Sequence, residues 1–157
     1  MGIAMTLHDY LDEMDVAYGV VDHPRRYTSL GIAHEAHVPA ERLAKGVLVR
    51  GANGVLTLTV VPSDRMVDLD RLGRKLPGPL MLASEDEIAR VFDDCDSGAV
   101  PPVGNAYAVR VMLDERLGGD ADVYFEAGDH EELIRVSGDE FLRLMGGAEQ
   151  GSFSRTL

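Results

Sequence analysis

The apolar positions change period along the chain, and each change marks an element. Between Thr6 and Met14, Leu7, Tyr10, Leu11 and Met14 share one face at helical spacing, which predicts an amphipathic helix with Thr6 as its N-cap. Tyr18 to His23 reads as a short strand closed by Pro24, and Thr28 or Ser29 caps a second helix ending near His37. Leu43 to Arg50 is a strongly apolar strand. Asn53-Gly54, two residues that tolerate positive φ, turns it into a return strand from Val55 to Pro62. Asp68 caps a helix through Lys75, and Leu80 to Ala83 is a short strand. Ser84 and Glu87 have the spacing of a capping box and open a helix to Phe92.

Further strands are predicted at Tyr107 to Leu113, Val123 to Glu126 and Glu132 to Val136. Ser137 and Glu140 form a second capping box, opening a helix through Met145 that Gly146-Gly147 ends. Strands and helices mix without strict alternation, so the expected class is α+β, a mixed sheet with helices packed around it. A single domain is expected over residues 1–157, with its core at about 5–145 and a frayed tail at 146–157.

Composition narrows the function classes. Hydrophobic residues make up 45% of the chain, enough for a folded core. No apolar run reaches membrane-spanning length, and residues 1–5 lack the cationic and apolar regions of a secretory signal. The lone Cys95 cannot form an internal disulfide and suits a reducing cytoplasm, the expected location. Net charge is −12, which argues against non-specific binding to DNA or other polyanions. The charge is uneven: residues 1–76 carry 9 Lys+Arg against 10 Asp+Glu, and residues 77–157 carry 6 against 17. A polyanion would therefore meet the first half.

Three places carry candidate chemistry. Asp96-Ser97-Gly98-Ala99-Val100-Pro101-Pro102-Val103-Gly104 has two prolines and two glycines and fits neither a regular helix nor a central strand. It is either a connector or a rigid cradle whose backbone N–H groups face a ligand. Lys45, one of only two lysines, sits between Ala44 and Gly46 at the head of an apolar strand. It is either a strand-end lysine reaching solvent or a compact cation in a cleft, suited to phosphate or ribose. His130, in the turn Gly128-Asp129-His130, either caps that turn or donates to a substrate. His34 and His37 lack the partners of a metal site. Cys95 lies among Asp93, Asp94 and Asp96, which suppress a thiolate. No GxSxG, P-loop, GxGxxG or HExxH occurs.

Ala44-Lys45 opening an apolar strand, Gly98-Ala99-Val100-Pro101-Pro102, and the Ala127-Gly128-Asp129-His130 turn occur in an order and spacing that resembles the YbaK/prolyl-tRNA synthetase-associated domain family of trans-editing aminoacyl-tRNA deacylases. The resemblance covers roughly residues 5–145. It implies a strongly twisted, partly barrel-like mixed sheet flanked by helices, and hydrolysis of the ester joining a wrong amino acid to the 3′-terminal ribose of tRNA. It implies the aminoacyl-tRNA 3′ end as partner, with an aminoacyl-tRNA synthetase as a further one, and neither cofactor nor metal. By resemblance Lys45 holds the 3′-end phosphate or ribose, the Gly98 to Pro102 backbone (Gly98, Ala99, Val100, Pro101, Pro102) receives the aminoacyl carbonyl, and His130 with Asp129 shapes the pocket. Tyr27, Thr28, Gly46, Val60 and Pro62 are expected to line it. Two positions depart from characterised members: Gly46 stands where many have a polar residue, and the Ala-Gly-Asp-His turn differs from the Gly-Gly-Lys type of the cysteinyl-specific branch. The competing reading is a non-catalytic binding or regulatory module that recognises a nucleotide, a tRNA 3′ end or a small acyl ligand in the same pocket.

Overall fold

The computed structural model describes residues 2–25 and 28–157. Its elements in chain order are α1 (Met5–Glu13), β1 (Gly19–Asp22), α2 (Ser29–Ala36), β2 (Leu43–Arg50), β3 (Leu56–Pro62), β4 (Arg65–Val67), α3 (Leu69–Leu72) and β5 (Met81–Leu82). They continue with α4 (Glu85–Val91), β6 (Arg110–Asp114), β7 (Val123–Glu126), β8 (Glu132–Val136), α5 (Gly138–Met145), β9 (Glu149–Gly151) and β10 (Ser154–Thr156). The main sheet runs β1-β8-β7-β2-β3-β6-β9, with β5 also paired to β2; β10 and β4 form a second, two-stranded sheet. The sheet is mixed: β2/β3, β1/β8 and β7/β8 are antiparallel, while β2/β7, β3/β6 and β6/β9 are parallel.

Local chemistry explains most boundaries. The β2/β3 hairpin turns where Asn53 and Gly54 have φ of 59° and 73°, the left-handed values that Asn-Gly accepts. The Ser84–Glu87 box is complete, each residue bonding the other's backbone N–H. The second box is half-formed. Ser137 accepts from Glu140 N, but the Glu140 carboxylate accepts from Ala17 N at 3.3 Å and Arg143 at 2.8 Å instead. Thr6 does not cap α1: the helix begins at Met5, and Thr6 N donates to Asp94 Oδ2 at 2.8 Å, tying α1 to the loop after α4. Asp68 caps α3, which is shorter than expected.

The C-terminal tail is ordered, contrary to the expectation of fraying. β9 extends the main sheet beside β6, and β10 pairs with β4. The cause is Phe153, fully buried with Val49, Val61, Leu72, Leu76 and Met112. One aromatic of this kind, inserted between sheet and α3, anchors a segment that composition alone leaves loose.

The sheet separates apolar clusters. On one face Ala44, Leu48, Leu58, Val60, Val123 and Phe125 pack with α1, α5 and Val103. On the other, Leu43, Leu133 and Tyr124 pack under Ile32 and Ala33 of α2. Arg42, just before β2, donates to the carbonyls of Arg116, Leu117, Gly118, Ala121 and Asp122 and so fixes the β6–β7 connection.

Candidate functional site

Strand alternation sends Lys45 to the α2 face and Gly46 to the opposite face. Between them the sheet has a gap. β7 pairs with β2 only at Leu43 and Ala44, and β5 pairs with it only at Val49 and Arg50. Leu48 C=O, on this edge, accepts from Ala83 N at 2.9 Å. Gly46 lies two residues earlier, so its N–H and C=O point to the same edge, and no strand partner meets them there among the described residues. The Gly98 loop packs against this point. A Cβ on Gly46 would lie in ordinary contact with Pro102 Cα at 3.5 Å and would press on Leu58 Cδ1 at 3.0 Å, so a side chain here requires the leucine tip to shift.

The loop itself is a tight turn. Ala99 N donates to Asp96 O at 3.0 Å, and Gly98, in the third position, has φ of +80°, as a type II turn requires. The N–H groups of Gly98 and Val100 have no acceptor among the described residues. Ser29, Lys45, Gly46, Glu85, Ile88, Ser97, Gly98, Val100 and Glu126 line a cleft of about 180 Å³. Lys45 is half-buried in it. Burial pulls its pKa below the ordinary lysine value, and the Asp64 carboxylate opposes that shift.

Beneath the cleft lies a polar cluster of which sequence reasoning singled out His130 and Asp129 but missed Glu126 and His23. Glu126 ends β7 and is 7% exposed. Its Oε1 lies 3.6 Å from His23 Nε2, and its Oε2 lies 3.4 Å from His130 Nδ1. Burial, reinforced by the neighbouring Asp129 carboxylate, pushes the Glu126 pKa up to about 8. Each imidazole also reaches a backbone carbonyl: His23 Nδ1 meets Pro24 O at 2.9 Å, and His130 Nε2 meets Ser97 O. Asp129 Oδ1 accepts from the N–H groups of Glu131 and Glu132, both at 3.0 Å, and so shapes the turn that carries His130. No group of three or more His, Cys, Asp or Glu among the described residues is arranged to hold a metal ion. Glu126 and His23 had a sequence signal: each is a polar residue immediately ending a largely apolar strand, one of them before a proline.

The expected site residues fall into three groups. Lys45, Gly46, Gly98 and Val100 line the cleft. Ala99, Pro101, Pro102, Asp129 and His130 are buried behind it as support, with His130 1% exposed and its ring against Gly98. Val60 and Pro62 are buried in β3 and do not line the cleft. Thr28 is exposed and spends its hydroxyl capping α2 by accepting from Gly31 N at 3.1 Å; its neighbour Ser29 lines the cleft instead. Tyr27 lies outside the described residues. Cys95 does not line this cleft. Burial pushes its thiol up to about 12, and it sits 3.4 Å from Tyr107 OH.

A comparison with curated proteins found no match. Among solved structures, the chain resembles a candidate trans-editing enzyme for prolyl tRNA synthetase at 26% identity, covering 97% of this chain and 96% of that one, with a TM-score of 0.83. A scaffold protein used for computational epitope grafting is 25% identical over 98% and 97% of the two chains, also with a TM-score of 0.83. A signal transduction candidate from Marinobacter aquaeolei VT8 is 16% identical with a TM-score of 0.75; the match covers 95% of this chain and 30% of that one, and it speaks to the fold alone. The model of one sequence family, the aminoacyl-tRNA editing domain, matches residues 23–144, from the buried His23 to the last turn of α5, so the chain belongs to that family.

Proposed function

We propose that this protein hydrolyses the ester of mischarged tRNA in trans, with Lys45 and the Gly98 to Pro102 loop as its working parts. The observation that carries this reading is the gap in the sheet beside β2, where Lys45, the Gly46 backbone and the Gly98 turn meet in one cleft. Lys45 places a cation where the 3′-terminal phosphate or ribose enters. Gly98 and Val100 offer N–H groups to the aminoacyl carbonyl oxygen, and Gly46 C=O is placed to accept from the α-amino group.

Water attacks the carbonyl carbon, and the tetrahedral oxyanion is held by the loop N–H groups. The C–O ester bond then breaks, with the ribose oxygen leaving as a hydroxyl that takes up the proton the water gave up. Aminoacyl esters are already activated, so orientation and oxyanion stabilisation suffice and no side-chain nucleophile is needed. Cys95, the one thiol, is unsuited to the role, because its proton is held to about pH 12.

The test is a panel of mischarged tRNAs assayed for deacylation by the wild type and by Lys45→Ala. At least one aminoacyl-tRNA is expected to be turned over, with a loss of kcat/KM in Lys45→Ala of about tenfold to a hundredfold, the scale of one charge-assisted contact to bound substrate. Absence of turnover across the panel, with retained binding of the tRNA 3′ end, would leave a binding module in its place.

A further inference from the structure

We infer that His23, Glu126 and His130 form a buried proton-sharing triad in which Glu126 is a positioning residue, holding His130 so that its ring pins the Gly98 turn. That the turn faces a substrate rests on the function proposed above; the triad itself rests on hydrogen-bond accounting. A carbonyl oxygen can only accept. His130 Nε2 therefore carries a proton toward Ser97 O, and His23 Nδ1 carries one toward Pro24 O. In the neutral rings this leaves His130 Nδ1 and His23 Nε2 as lone pairs, and both face Glu126 at 3.4 Å and 3.6 Å.

An ionised carboxylate there would oppose two lone pairs with no proton between them. The two Glu126 oxygens are buried and make no aligned hydrogen bond, a costly state for a charged group. One added proton on Glu126 Oε2 removes the charge and is donated to His130 Nδ1, which leaves Nε2–H directed at Ser97 O.

The link to the turn is direct contact. Ser97 O and Gly98 belong to the same turn, and a Cβ on Gly98 would lie 3.3 Å from His130 Cε1. The ring thus sets how far Gly98 can retreat from the cleft. Among the described residues, the charged groups facing the triad are Asp129 in the β7–β8 turn, Lys45 of β2 and Glu85 of α4 across the cleft, with Arg25 near the Asp129 carbonyl. Loss of the shared proton leaves a carboxylate beside Asp129 and opposite the Nδ1 lone pair, a repulsion that displaces the ring and loosens the turn. Deacylation is then expected to fall as pH rises through about 8.

Two measurements test this. Imidazole nitrogen spectra of the ¹⁵N-labelled protein should show His130 with a protonated Nε2 at pH 7, and its Nδ1 signal should move on passing pH 8. In Glu126→Gln, whose amide donates to Nδ1 but does not ionise, that movement should vanish. In deacylation assays corrected for spontaneous hydrolysis, Glu126→Ala should lose about tenfold to a hundredfold at pH 7, the scale of a displaced contact. Glu126→Gln should recover most of that loss and show no alkaline decline. A wild-type pH profile in both variants, or His130 spectra unchanged in Glu126→Ala, would overturn the triad. Should wild type deacylate nothing, the proposed function fails and the spectra alone decide the triad.

Discussion

At the scale of single residues, Gly98 and Glu126 do more than their sequence context announces. Gly98 holds φ of +80°, a conformation that costs an L-residue roughly 1–2 kcal/mol. Gly98→Ala is therefore expected to lower unfolding free energy by about that amount in urea titration. It should lower deacylation further, because its Cβ crowds the His130 ring. Glycine at this position thus serves stability and site together, and a substitution cannot separate the two cleanly. Glu126 gives a pH signature. Its folded pKa, about 8, lies above the ordinary glutamate value of 4.5, so the folded protein binds this proton more tightly than the unfolded chain. The associated stability is fully present below 4.5 and is lost as pH rises through about 8. Urea midpoints of wild type minus Glu126→Gln, measured at pH 5 and pH 8.5, should fall over that interval; a constant difference would mean that Glu126 does not titrate as described.

At the scale of elements, legibility in the sequence followed length and local chemistry. β2, β7, β8 and α5 coincide with their predicted ranges, because apolar-rich β-branched stretches between turn residues and a capping Ser write them directly. β4, β9 and β10 are three residues each, too short for a period, and their pairing is decided by what they dock against. The site divides in the same way. Lys45 and the Gly98 loop were readable because a cation heading an apolar strand and a Gly/Pro loop are local signals. The meeting of His23 with Glu126 was not, because it depends on β1 and β7 flanking β8 in the sheet, a long-range pairing. The tail offers an element-scale prediction. Phe153→Ala should cost about 3–5 kcal/mol in urea unfolding by emptying a fully enclosed aromatic site. Loss of amide protection along β9 and β10 should accompany it, leaving β7 and β8 unaffected.

At the scale of the whole molecule, charge and sheet architecture bear on how a large anionic partner is handled. A net charge of −12 disfavours broad contact with a nucleic acid body, and on the proposed function contact is expected to be local, near Lys45. Affinity for an aminoacyl-tRNA should therefore vary weakly with salt, with a log–log slope of magnitude about 1.4–2.1, as expected for two or three neutralised phosphates at roughly 0.7 each. A steep slope in fluorescence-anisotropy titrations would demand a broad cationic surface that the charge distribution does not supply. The same architecture says how the cleft is dimensioned. Its width along β2 is the stretch between the last residue that β7 reaches and the first that β5 reaches. Two neighbouring strands, by where they stop, act as the jaws of a caliper. Each further residue pair on either strand would narrow the opening without altering a single lining side chain, so in a protein built this way strand length is itself a determinant of what can enter.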